Sequence, residues 1–124
     1  MRDMVSRHFF AHVGKGRPSV AARIRAFGYF DGVSSGLYAE NIGVAPQGNS
    51  SAAVLVEAWM NNPTHRASIL DKRLRDIGVG LVLAPRDPVF YSDFRSSVYT
   101  TDFGRRYSKK GTHCRHKSAR ICHR

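Results

Sequence analysis

The chain has 124 residues, of which 42% are hydrophobic and 23% charged, and a formal charge of +11. That length supports a single hydrophobic core and excludes two domains that each fold alone. No stretch approaches the ~20 apolar residues that span a bilayer, and Met1-Arg2-Asp3-Met4 is not followed by the apolar run of a signal peptide.

In chain order, Met1, Met4, Val5 and His8 stand at helical spacing and predict the last turns of a helix, with His8 on its buried stripe. Residues 14–17 read as a loop. Pro18 then opens a second helix with Val20, Ile24 and Phe27 on one stripe, Gly28 as its cap, and Arg23 and Arg25 facing water. Glycine and serine mark residues 31–36 as a loop. It leads into a short extended or irregular segment, 37–44, that carries Glu40.

After a loop over 46–51, Asn49, Ser50 or Ser51 can cap a helix whose Ala52, Leu55, Val56, Trp59 and Met60 recur on one buried face. Trp59 is therefore a core residue first. Asn62 followed by Pro63 is an N-cap and first-position pair for a further helix through Ile69 and Leu70, with His65 in its first turn. There the helix dipole favours the neutral imidazole.

Ile77, Val79, Leu81 and Leu83 alternate with Gly78, Gly80 and Val82, which predicts a strand with its large residues buried and its glycines admitting a close neighbour. Residues 86–88 break it. Two more strands are expected over 89–94 and 98–103, with Asp102 on an edge-like strand in a structural role. Helices first and strands later favour an α+β arrangement over a parallel βαβ fold.

The chain divides into a domain over 1–104 and a tail over 105–124. The tail holds eight Lys or Arg, no acid, and both cysteines, Cys114 and Cys122, so it carries +8 of the total charge. Such a run cannot bury enough apolar area to offset its ordering entropy and is expected to be disordered. Non-specific, salt-sensitive contact with nucleic acid is one use for it.

Five strings stand in fixed order: Phe10-Ala11-His12, Ala39-Glu40-Asn41-Ile42, Trp59-Met60-Asn61-Asn62-Pro63-Thr64-His65-Arg66, Ile77-Gly78-Val79-Gly80 and Tyr99-Thr100-Thr101-Asp102-Phe103-Gly104. Together they resemble a bacterial member of the CAP superfamily, the cysteine-rich secretory proteins, antigen 5 and plant pathogenesis-related proteins, also called the SCP domain. The resemblance covers most of 4–104. It implies a three-layer α/β/α sandwich with a mainly antiparallel central sheet, here with the first helix missing.

The resemblance also implies a cleft with two histidines and two acids that takes a divalent cation such as zinc. His12, Glu40 and His65 match three of those four positions, and Asn62 stands at the fourth. Expected with it are a secreted or cell-surface location and a small or lipid-like ligand. The alternatives are a metal-assisted hydrolase, with Glu40 as ligand or proton acceptor, and a decayed gene fragment.

Overall fold

The computed structural model describes residues 2–14, 16–49 and 51–108. The basic run over 109–124, its two cysteines and the nucleic-acid reading attached to it lie outside the described residues. In chain order the elements are α1 (Arg2–Ser6), α2 (Val20–Ala26), β1 (Ser35–Pro46), α3 (Ala52–Met60), α4 (Pro63–Leu70), β2 (Asp76–Ala84) and β3 (Ser96–Tyr107). Helices and a three-stranded antiparallel sheet make this an α+β fold.

Helix starts follow local side-chain chemistry. The Ser19 hydroxyl accepts from the Ala22 N–H at 3.1 Å, so α2 begins at Val20 and not at Pro18. Ser51 caps α3 through the Val54 N–H at 3.3 Å. Asn62 Oδ1 accepts from the N–H groups of Thr64 and His65, and Pro63 follows it at the start of α4. Gly28 sits at φ +74° just past α2, a backbone conformation that suits glycine.

The sheet has the order β1-β3-β2, with every pairing antiparallel. Strand β3 is therefore central, and Asp102 is not on an edge as the sequence suggested. The strand also continues through Tyr107, so Arg105 and Arg106, assigned to the tail, belong to the sheet. Each lays its guanidinium over a tyrosine ring, Arg105 over Tyr107 and Arg106 over Tyr29.

Cross-strand partners share a face, which separates two packing layers. On one face Ile42, Val98 and Ala84 meet Met4 of α1 and Phe90 to form the core. On the other, Leu55 and Trp59 of α3 close onto Gly43. A Cβ at Gly43 would stand 2.5 Å from Leu55 Cδ1 and 3.2 Å from the Trp59 ring, so only glycine admits the helix at this distance. The Trp59 Nε1–H donates to the Ile42 carbonyl at 3.0 Å.

Four expectations are corrected by this packing. Ile77, Val79, Leu81 and Leu83 are each more than half exposed, because α3 and α4 pack on β1 and no described element covers the outer face of β2. Phe27 is 91% exposed, and α2 buries Ala21 in place of the expected stripe. Val56 of α3 is exposed as well. The strand expected over 89–94 is replaced by a turn over 88–90, closed by a bridge between Asp87 and Tyr91, and by bends over 92–94, and Phe90 drops from the turn into the core.

His8 is not on a buried stripe either. Helix α1 ends at Ser6, and His8, at φ +54°, turns its Nδ1 onto Asp87 Oδ2. The Val89 N–H and then His8 hold the Asp87 carboxyl below its ordinary pKa. A depressed folded-state pKa contributes stability that is present above about pH 4 and is lost as pH falls through the folded value. His8→Ala is accordingly expected to lower the melting temperature at pH 7, to leave it nearly unchanged near pH 2, and to shift the acid-unfolding midpoint upward, all read by circular dichroism. An unmoved midpoint would count against the pair.

Candidate functional site

Four elements deliver side chains to one cleft on the α1 face of the sheet. Glu40 reaches it from β1 with its carboxylate only 5% exposed. His12, in the segment between α1 and α2, donates from Nδ1 to Glu40 Oε1 at 2.8 Å. Arg23 of α2 donates from Nη2 to Glu40 Oε2 at 2.7 Å. Its Nη1 donates to the carbonyls of His12 at 2.8 Å and Pro18 at 3.1 Å. Asp102 lies directly across from Glu40 in the β1–β3 register, with Gly78 of β2 on its other side.

These groups line an open pocket of about 460 Å³ whose apolar wall includes Met4, Phe9, Ile24 and Phe27. A second cavity of about 410 Å³ adjoins it and shares Ile24, Phe27, Gly78 and Asp102. Because Gly78 and Gly80 have no side chains, the inner face of β2 forms a floor. The sequence expected a close neighbour at these glycines, and the structure leaves a hollow there.

His65 approaches from the opposite side of β1. Its Nδ1 donates to Asn41 Oδ1 at 3.0 Å, and Asn41 Nδ2 returns a bond to the His65 carbonyl at 3.1 Å. Consecutive strand residues face opposite ways, so Asn41 holds His65 on one face while Glu40 holds His12 on the other. Burial, and then the nearby His12, lower the His65 pKa. The sequence reading expected the neutral ring there from the helix dipole; in the fold, burial is the first cause of the lowered value.

A model of the cysteine-rich secretory protein family, CAP, matches residues 1–94. The chain belongs to this family. No curated protein and no solved structure matches it. The match takes in His12, Glu40, Asn62 and His65, the positions at which the resemblance implies ligands to a divalent cation.

In this CAP domain the donors fit a three-ligand cation site poorly as they stand. Both oxygens of Glu40 are engaged, one by an imidazole and one by a guanidinium, and His65 Nδ1 is engaged by Asn41. Asn62 spends its Oδ1 on capping α4. Among the described residues no three His, Cys, Asp or Glu side chains are grouped so as to hold a metal ion.

Two residues of the cleft escaped the sequence reading. Arg23 was expected to face water, and instead its long side chain leaves the helix surface and turns back onto β1. Periodicity reports where a Cα points, not how far a guanidinium reaches. Asp102 was read as structural on a strand edge. Its alternation with Thr100 and Val98 was visible, but which face of β3 carried the cleft was not.

The Asp102 carboxyl is raised to about 6, first by burial and then by the negative charge of Glu40 opposite. A raised folded-state pKa means that the folded protein favours the neutral form. The penalty is absent below about pH 4 and grows as pH rises through about 6. Asp102→Asn is therefore expected to raise the melting temperature at pH 8 and to leave it nearly unchanged at pH 4. Equal shifts at both pH values would mean that charge is not the cause.

Proposed function

We propose that this CAP domain acts at the cell surface or in the extracellular medium and binds a small or lipid-like ligand in the cleft beside His12 and Glu40. The observation that carries the reading is a pair of adjoining cavities that share an apolar wall at Ile24 and Phe27, with His12, Glu40 and Arg23 as polar groups in the first and Tyr29, Asp76 and Arg106 in the second. Such a shape, within the ~300–1,000 Å³ of ordinary ligand sites, buries a hydrocarbon body and orients one polar group. His12 supplies that orientation: with Nδ1 bonded to Glu40, its Nε2 is the nitrogen left for a ligand hydroxyl or carboxyl.

Among the described residues no helix is long and apolar enough to cross a membrane. A ligand reached from solution fits a cleft whose rim residue, Phe27, is already in water. Catalysis is not needed for this reading, and the motifs bring no serine or cysteine nucleophile to the cleft.

Titration with a fluorescent polyene fatty acid tests it. Phe27→Ser removes an exposed wall residue without touching the core and is expected to weaken binding of this probe about tenfold. The double variant His12→Ala/His65→Ala loses the polar anchor and keeps the apolar walls, and is expected to weaken binding of this probe only a few-fold, about what one hydrogen bond contributes. Unchanged affinity in Phe27→Ser would sink the proposal. Ester hydrolysis by the wild type that vanishes in the double variant would favour a hydrolase instead.

A further inference from the structure

We infer that the Arg23 guanidinium is the resident cation of this cleft, filling at Glu40 the place that a divalent ion would need and fixing His12 through the same contacts. The inference deepens the ligand-binding reading above and rests on its site.

A carboxylate as buried as that of Glu40 is costly unless its charge is paired and its oxygens are bonded. Both conditions are met from within the chain. Oε1 takes the His12 Nδ1–H and Oε2 takes Arg23 Nη2–H. Arg23 then does what a monodentate partner could not. Its planar fork reaches three acceptors at once, the Glu40 carboxylate and the carbonyls of His12 and Pro18.

The result is a closed circuit. Helix α2 holds the β1 carboxylate, the carboxylate holds the His12 ring, and α2 also holds the His12 backbone. A divalent ion at Glu40 would have to displace Arg23 from Oε2 and leave a guanidinium, its side chain 36% exposed, beside a second cation. The Asp3 carboxylate on the same wall is already paired with Arg17 at 2.7 Å, so it is taken and does not offset that repulsion.

Zinc sulfate added to the full chain labelled with ¹⁵N-histidine decides the matter, because the ring nitrogens of His12 and His65 are read separately from histidines elsewhere. In the wild type, one molar equivalent is expected to leave both rings unshifted. In Arg23→Gln, which keeps length and removes charge, the His12 ring is expected to respond, with an apparent zinc affinity there about ten- to a hundredfold higher. Arg23→Lys serves if the glutamine variant does not fold; it keeps a charge but cannot span three acceptors, so the His12 ring is expected to respond there too.

Wild-type His12 shifts that saturate at one equivalent overturn the inference. So do folded Arg23 variants whose His12 ring is as inert to zinc as the wild type's. Fatty-acid probe binding measured on the same samples reports separately on the cleft as a ligand site. Loss of that reading with zinc exclusion intact, or the reverse, tells the two failures apart.

Discussion

Trp59→Ala is expected to cost about 3–5 kcal/mol of stability, the range for deleting a buried aromatic ring. Trp59 is 5% exposed, and its ring lies against Gly43 and, with centroids 6.1 Å apart, beside His65. Removing it leaves a void between α3 and β1 that Leu55 cannot fill, since Leu55 already packs on the same glycine. It also takes the Nε1–H away from the buried Ile42 carbonyl. A domain of this size has a total stability of about 5–15 kcal/mol, so the loss is a large share of the whole.

Urea unfolding followed by far-ultraviolet circular dichroism measures the loss through the shift in midpoint at constant slope. Trp59→Phe separates the two contributions. It keeps most of the apolar volume and abandons the hydrogen bond, for which about 1–3 kcal/mol is expected. If alanine and phenylalanine cost the same, the carbonyl and not the ring governs this contact. A wild-type midpoint in Trp59→Ala would mean that α3 does not seat on β1 as described.

Asn41→Ala is expected to cost about 2–3 kcal/mol, because it strips partners from two groups at once. Asn41 is 1% exposed, accepts from the His65 ring and donates to the His65 carbonyl. Alanine leaves that carbonyl and the ring N–H facing a small apolar hole. The consequence at the site is as informative as the stability. With Nδ1 no longer tied, the His65 ring is expected to sample both tautomers, which the chemical shifts of its two nitrogens report. Asn41→Asp, which keeps the acceptor and adds a charge beside the ring, is expected to raise the His65 pKa. A fixed tautomer in Asn41→Ala would show that the ring is oriented by something other than Asn41.

Much of this protein was legible one residue at a time. The cluster Asn49, Ser50 and Ser51, of which Ser51 is the cap, and the Asn62-Pro63 pair announce helix starts because the capping oxygen and the N–H groups it serves are within three residues of each other. Trp59 at the spacing of Leu55 announces a core face, and the five ordered strings announce the family whose model matches residues 1–94. The resemblance put His12, Glu40 and His65 together as candidate ligands; in the structure His12 bonds Glu40 directly, while His65 bonds Asn41.

Other features depended on contacts that no local pattern encodes. The alternation of Ile77, Val79, Leu81 and Leu83 with glycine is a strand signal, yet the side it buries depends on which helices pack there, and α3 and α4 went to β1. Asp102 became a neighbour of Glu40 only when β3, last in the chain, inserted between β1 and β2. Arg23 looked solvated because its helical position is solvated, and only the assembled fold brought a buried carboxylate within reach of its guanidinium. Short-range hydrogen bonding and periodicity are written in consecutive residues. The charge balance of the cleft comes from long side chains and strand pairings that exist only after the chain has closed on itself.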